Sequence, residues 1–192
     1  MKKDLFGFKS QGVHYDAFRP KYPKSQLLHS LSKLKRKSKY LDIATGTGKI
    51  LFELAPYFER TVGQDLSEKM IGVCRQKCAE PPYSELNIEI EQGDFMERKA
   101  EEFDLITIGQ ALHWFPVPET LRKCRQMLSP EGALAVHSYV FKSVTTTSGT
   151  VEEDEKLAKL FYEFYDLKVK RYFGIYEDEL HGRYLNKIRY PF

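Results

Sequence analysis

Three short acidic segments carry the residues that could do chemistry. In Asp42-Ile43-Ala44-Thr45-Gly46-Thr47-Gly48, two glycines follow an apolar run, and glycine lets a backbone turn sharply and approach a ligand that a Cβ would push away. Asp65 stands nineteen residues after Gly46, the spacing at which a carboxylate ending the next strand can take both hydroxyls of a ribose. Asp94, after Gly93, can accept a hydrogen bond from an exocyclic amine, while Met70 and Phe95 offer apolar surfaces to a purine ring. These types describe recognition of a nucleoside. Singly, each has a plainer use: Asp65 and Ser67 as helix caps, Asp94 as the close of a turn. Their recurrence at successive strand ends is what points to one site.

Two phosphate-binding alternatives fail on spacing. A P-loop, G-x-x-x-x-G-K-[ST], needs glycine at 43 or 44 and a hydroxyl residue at 50, where the chain has Ile43, Ala44 and Ile50. The dinucleotide fingerprint G-x-G-x-x-G needs a third glycine where Leu51 stands. What is left is a nucleoside site without phosphate machinery.

The elements that must position these residues alternate. Strands are expected over Tyr40 to Ala44, Thr61 to Gln64, around Ile88 and Ile90, over Phe103 to Ile108 and over Ala133 to Tyr139. Helices fall between them. One carries Leu51 and Leu54 and stops at Pro56; one is capped by Ser67, faces Met70, Ile71, Cys74 and Cys78 inward, and is closed by Pro81-Pro82; one carries Leu121, Cys124 and Leu128 before a turn at Ser129-Pro130-Glu131-Gly132. The nearly continuous apolar run from Phe103 predicts a strand buried on both faces. This rhythm specifies an α/β domain, a doubly wound, mostly parallel sheet with helices on both faces.

Around that core, residues 1 to 38 read as an N-terminal arm and helix. Leu27, Leu28, Leu31 and Leu34 recur at helical spacing behind Ser25 as N-cap, and the helix ends in the basic run Lys35-Arg36-Lys37-Ser38-Lys39. That run resembles a nuclear signal, but cations at a helix C-terminus are favoured by the dipole in any case. Residues 142 to 150 are expected to form a polar loop, and Glu152 to Phe173 an aromatic, charged helix. A single domain over 1 to 192 is expected.

Composition narrows the functional classes. The 192 residues are 42% hydrophobic, 14% aromatic and 30% charged, the usage of a globular chain with an aromatic excess. Thirty Lys and Arg against 27 Asp and Glu leave +3, too little to predict nucleic-acid or membrane binding by field alone. No apolar stretch reaches the roughly 18 residues of a spanning helix, and Met1-Lys2-Lys3 leads into Asp4, Gly7 and Lys9 instead of an apolar signal core, so the compartment expected is the cytoplasm. Cys74, Cys78 and Cys124 are three with no C-x-x-C spacing, which predicts reduced thiols and no metal site.

Three blocks resemble the class I S-adenosylmethionine-dependent methyltransferases: Leu41 to Gly48, Gly63-Gln64-Asp65-Leu66-Ser67-Glu68-Lys69-Met70, and Gly93-Asp94-Phe95. Arg19-Pro20-Lys21-Tyr22-Pro23 and Gln110-Ala111-Leu112-His113-Trp114-Phe115 look more narrowly like the trans-aconitate methyltransferase-like, or type 11, group. The resemblance implies S-adenosylmethionine as cofactor. It also implies that Asp42, Ala44, Gly46 and Gly48 line its methionine part, Asp65 its ribose, Leu66, Met70 and Phe95 its adenine faces, and Asp94 its amino group. Gln110 would lie near the reacting methyl, and Tyr15, Arg19 and Tyr22 would belong to a lid. Family members usually continue into an antiparallel hairpin of strands six and seven, which this chain is expected to lack or alter.

A sulfonium methyl is already activated, so the protein mainly orients an acceptor and excludes water. The acceptor expected is a small molecule. Arg19 could orient a carboxylate, whereas His113 becomes a base only for a hydroxyl, thiol or amine. Glu80-Pro81-Pro82-Tyr83 imitates an amino-methyltransferase signature, but it precedes strand three where that signature follows strand four, so it reads as a helix-ending turn. Two alternatives stand beside small-molecule methylation: a non-catalytic, cofactor-binding module that needs a partner chain, and methylation of protein or nucleic acid. As to assembly, a monomer or homodimer is expected.

Overall fold

A computed structural model of the chain describes residues 21–138 and, beyond them, Thr150 and the exposed helical residues Glu152, Glu155, Lys156 and Lys159. The chain divides into two compact units, Phe6–Ser138 and Met1–Leu5 with Tyr139–Phe192. All that follows concerns the first. Arg19 and Tyr15, and the expected hairpin, lie outside the described residues.

Five parallel strands form one sheet: β1 Lys39–Ile43, β2 Arg60–Asp65, β3 Ile88–Gln92, β4 Phe103–Gly109 and β5 Leu128–His137, in the order β3-β2-β1-β4-β5. The chain winds outward from β1 to β3, then crosses back to place β4 on the other side of β1. This is the expected doubly wound sheet, and its order reverses between β1 and β4, where such sheets open a crevice beyond the carboxyl ends. In β4 the six residues Phe103 to Ile108 are all buried, as its nearly continuous apolar run predicts for a strand covered on both faces. β3, at the edge, alternates Ile88 and Ile90 with Glu89 and Glu91.

Among residues 21–138, four helices accompany the strands: α1 Lys24–His29, α2 Leu51–Leu54, α3 Glu68–Cys78 and α4 Val117–Met127. Leu51 and Leu54 of α2 pack with Leu27, Leu31, Tyr40, Ile50, Phe52, Cys74 and Leu105 in one core cluster. A fully buried aliphatic or aromatic side chain contributes about 1.5–3 kcal/mol, so this cluster fixes α1 and α2 against the sheet. Pro56 sits inside the 3-10 turn Ala55–Tyr57 that ends α2, as expected. Ser67 caps α3 by accepting the Met70 N–H at 3.5 Å, and Met70, Ile71 and Cys74 face inward. No helix among the described residues is long and apolar enough to cross a membrane.

The ends of the chain's regular pattern differ from expectation in two places. α1 is short and its N-cap is Pro23, not Ser25: the Pro23 carbonyl accepts the Gln26 and Leu27 N–H groups at 3.0 and 3.2 Å. After His29 the chain continues in i to i+3 turns through Leu34, so the basic run is not a helix end. Three of its cations form ion pairs instead, Lys35 with Glu131, Arg36 with Asp104 and Lys39 with Glu101.

The second difference is β5, which begins at Leu128 and absorbs the expected turn at residues 129–132. Phe103 pairs with Leu128 but Leu105 with Ala133, so the extra residues bulge out of the ladder. Asp104 explains the bulge. Its buried carboxylate accepts the Ser129 hydroxyl at 2.9 Å, Arg36 Nε at 2.9 Å, and the Ser38 and Lys39 N–H groups at 2.8 and 3.1 Å. Burial pushes this carboxyl up, yet the four donors outweigh it and hold the group below the usual carboxylate range.

Candidate functional site

Beyond the carboxyl end of β1 the backbone alternates into the left-handed region, with φ of 52° at Ala44, 58° at Gly46 and 84° at Gly48. Short backbone bonds fix this turn: Thr45 N–H to the Gln64 carbonyl at 3.0 Å, and Gly48 N–H to the Thr45 carbonyl at 2.9 Å. The two glycines answer different needs. A Cβ on Gly48 would stand 2.3 Å from the Phe52 ring, so that glycine serves packing within the protein. A Cβ on Gly46 would meet nothing within 4 Å, so the loop there faces open space.

Asp65, at the end of β2, crosses to this loop. Its Oδ2 accepts the Gly46 N–H at 2.8 Å and its Oδ1 the Ser67 N–H at 2.8 Å. Burial raises its carboxyl, against the lowering effect of the N–H groups of Ser67, Gly46 and Leu66. Leu66 beside it is 65% exposed, an apolar surface left uncovered by described residues. Met70, on the first turn of α3, is buried.

Asp42 stands behind the loop, 2% exposed. Its two oxygens accept the Thr107 hydroxyl and, at 2.7 Å, the Thr45 hydroxyl; Thr107 in turn shares a 2.7 Å hydrogen bond with the Tyr40 hydroxyl. Asp42 and Thr107 are register partners on β1 and β4, so this chain spans the point where strand order reverses. Burial pushes the Asp42 carboxyl up to about 6, with the Thr107 and Thr45 hydroxyls and the Leu51 N–H pulling against it and the charge of Asp65 adding to it.

At the end of β3, Asp94 Oδ1 accepts the Met96 N–H at 2.8 Å and so closes the short turn Phe95–Glu97. Phe95 is buried, edge-on to Phe115 at 6.3 Å and with the Lys123 ammonium 5.3 Å from its ring centre. At the end of β4, Gln110 holds a φ of 50° and donates its N–H to the His137 carbonyl at 2.9 Å. His113 and Trp114 follow in the turn Leu112–Trp114, their rings 4.6 Å apart and Trp114 40% exposed. Tyr22 reaches the same end, its hydroxyl lying 2.9 Å from where a Cβ on Gly109 would stand.

The structure thus brings Ala44, Gly46, Gly48, Asp65, Leu66, Met70, Asp94, Phe95, Gln110 and Tyr22 to the carboxyl ends of β1 to β4, and keeps Asp42 beneath them. Among the described residues no group of three or more His, Cys, Asp or Glu could hold a metal ion. Burial pushes the Cys74 and Cys124 thiols up to about 12, which leaves them protonated at neutral pH. Sequence reasoning missed Thr45, Thr107 and His137. Thr107 was hidden inside an apolar run, and His137 gains its place only through its pairing with Gly109.

Residues 41–136 match the methyltransferase domain family, and the chain belongs to it. Together with the strand order this makes the described unit a class I, S-adenosylmethionine-dependent methyltransferase domain. The chain is 26% identical over 134 residues to the "Probable S-adenosylmethionine-dependent methyltransferase CRG1" of Saccharomyces cerevisiae, covering 68% of this chain and 46% of that protein. It is 30% identical over 95 residues to a ubiquinone biosynthesis O-methyltransferase of Coxiella burnetii, covering 49% and 40%. The fold superposes on an S-adenosylmethionine-dependent methyltransferase of Clostridium acetobutylicum with a TM-score of 0.52 at 21% identity, covering 66% of this chain and 53% of the other. The chain spans about half the length of the curated relatives it matches.

Proposed function

We propose that the protein transfers the methyl group of S-adenosylmethionine to a small-molecule acceptor. The Asp65–Gly46 pair carries this reading: a carboxylate fixed by two N–H groups beside a glycine loop that faces open space suits a ribose, whose hydroxyls donate to the remaining lone pairs. The absence of phosphate machinery suits a nucleoside joined to an amino acid. The cofactor, when bound, supplies an activated methyl on a sulfonium.

The chain's own residues then bind, orient and exclude. Ala44, Gly46 and Gly48 give the loop its alternating turn, and Asp42 holds that loop from behind through Thr45. Leu66, Met70 and Phe95 bracket the adenine and Asp94 takes its amino group; Gln110, turned by its φ of 50°, faces the methyl-bearing end. Tyr22 belongs to the cover over the cofactor, and Arg19 is the residue we assign to an acceptor carboxylate. The O-methyltransferase relative favours a hydroxyl acceptor as the second reading, with His113 as base. The setting we propose is the cytoplasm, where the protonated Cys74 and Cys124 stay reduced, with the chain a monomer or homodimer.

Isothermal titration with S-adenosylhomocysteine, with NADH as the comparison ligand, tests the reading. Binding of S-adenosylhomocysteine alone is the result expected, and binding of NADH in preference overturns it. Label transfer from the cofactor to small-molecule pools, and not to protein or nucleic acid, tests the acceptor class.

A further inference from the structure

His137 is the last residue of β5 and touches three separate segments at the carboxyl end of the sheet. Its carbonyl accepts the Gln110 N–H at 2.9 Å, which ties it to the residue that turns away from β4. Its ring Nε2 shares a 3.3 Å hydrogen bond with the hydroxyl of Ser30, the residue that ends α1. The same ring meets Tyr22 edge to face, 6.0 Å between centres at 66°. Tyr22 immediately precedes Pro23, the N-cap of α1. One imidazole therefore clamps both ends of this six-residue helix.

The clamp has a direction. Gly109 is the register partner of His137, and a Cβ on Gly109 would stand 2.4 Å from Ile50 Cδ1 and 2.9 Å from the Tyr22 hydroxyl, so Tyr22 packs with Ile50 directly over that glycine. The imidazole is half-buried, and burial lowers its pKa, so it meets Tyr22 as a neutral ring. An edge-to-face pair orients a tyrosine more narrowly than burial alone does, because the ring quadrupoles fix the angle between the planes.

We infer that His137 is a positioning residue of the methyl-transfer site, one that acts through Tyr22 by fixing it over the ends of β4 and β5. The inference rests on the proposed cofactor site, because Tyr22 lies over Gly109, the residue before Gln110. His137 touches neither cofactor nor acceptor in this account. Its side chain reaches them through the orientation of Tyr22, since the bond to Gln110 is made by the His137 backbone.

Two readouts separate the inference from the reading on which it rests. Limited trypsin digestion of the ligand-free chain, with cleavage after Lys21 and Lys24 followed by mass spectrometry, reports on the anchoring of Tyr22 without any cofactor. His137→Ala is expected to speed those cleavages about 3- to 10-fold, the range set by loss of an aromatic pair, and His137→Phe, which keeps the ring, is expected to restore the wild-type rate. Titration with S-adenosylhomocysteine follows for His137→Ala, Tyr22→Ala and the double variant. Each single variant is expected to weaken binding about 3- to 10-fold and the double variant no further, since the two residues act as one unit. Losses that multiply, a His137→Phe chain that behaves as His137→Ala, or unchanged cleavage in His137→Ala each overturn the inference. A wild-type chain that binds no S-adenosylhomocysteine overturns the cofactor reading alone, and the cleavage rates still decide the role of His137.

Discussion

Asp65 Oδ2 accepts the backbone N–H of Gly46 at 2.8 Å, so the carboxylate that ends β2 and the turn that leaves β1 are one construction. Removing the carboxylate takes away a ligand for the ribose and a strut of the loop together. Asp65→Ala is expected to weaken S-adenosylhomocysteine binding by at least about 1.5 kcal/mol, more than tenfold in Kd, as loss of hydrogen bonds to a charged acceptor predicts. Calorimetry checks it, and unchanged affinity removes Asp65 from the site.

Gln110 and His113 stand three residues apart but in different settings. Gln110 is held at a φ of 50° with its N–H on the His137 carbonyl, whereas His113 lies against Trp114. Backbone strain of this kind persists where surrounding structure enforces it, and it collects at functional sites. Gln110→Ala is expected to lower initial methyl-transfer rates about tenfold, the worth of one hydrogen bond of roughly 1.4 kcal/mol, and His113→Ala by less than about threefold. Alanine carries the same left-handed strain as glutamine, so the comparison isolates the side chain. The reverse order in initial rates assigns His113 the role of base.

The sheet was legible because short apolar or alternating segments recur between turn and helix signals, and β1, β2 and β4 fall within one residue of the limits read from the sequence. The fingerprint Asp42 to Gly48 and the position of Asp65 were legible for a related reason: both are local, or one strand apart. What stayed hidden depends on which strands become neighbours. Thr107 binds Asp42, and His137 pairs with Gly109, only because β4 crosses to lie beside β1 and β5 beside β4. The N-cap at Pro23 was hidden because Ser25 is the better capping type, yet the Pro23 carbonyl takes the first helical N–H groups. The bulge at residues 129–132 needed Asp104, twenty-five residues away, to draw in Ser129.

Asp104 separates stability from function. It lies at the amino end of β4, the far end of the strand from Gln110, and its buried carboxylate gathers Arg36, the Ser38 and Lys39 N–H groups and Ser129. Asp104→Ala leaves those donors unmatched, and an unsatisfied buried donor costs about 1–3 kcal/mol. The variant is expected to lose about 3 kcal/mol in urea unfolding while S-adenosylhomocysteine affinity, measured well below the midpoint, stays within about twofold. A larger change in affinity with intact stability contradicts this division of the sheet.

Asp42 makes the stability depend on pH in an uncommon direction. Burial lifts its carboxyl to about 6 from 3.8, so the folded chain binds the proton more tightly than the unfolded chain does. Between those two values the native state carries more protons, and its stability from this group falls as pH rises; above about 6 both states are ionised and the contribution is level. Each pK unit is worth about 1.4 kcal/mol. Asp42→Asn removes the titration but keeps a carbonyl acceptor for one of the two threonine hydroxyls, Thr45 or Thr107. The difference in Tm, wild type minus Asp42→Asn, is therefore expected to shrink as pH rises from 4 to 6 and to stay flat from 7 to 8. A difference that grows over the acid range means that the three donors around Asp42 outweigh its burial, and that the carboxylate, not the acid, is the form the fold prefers.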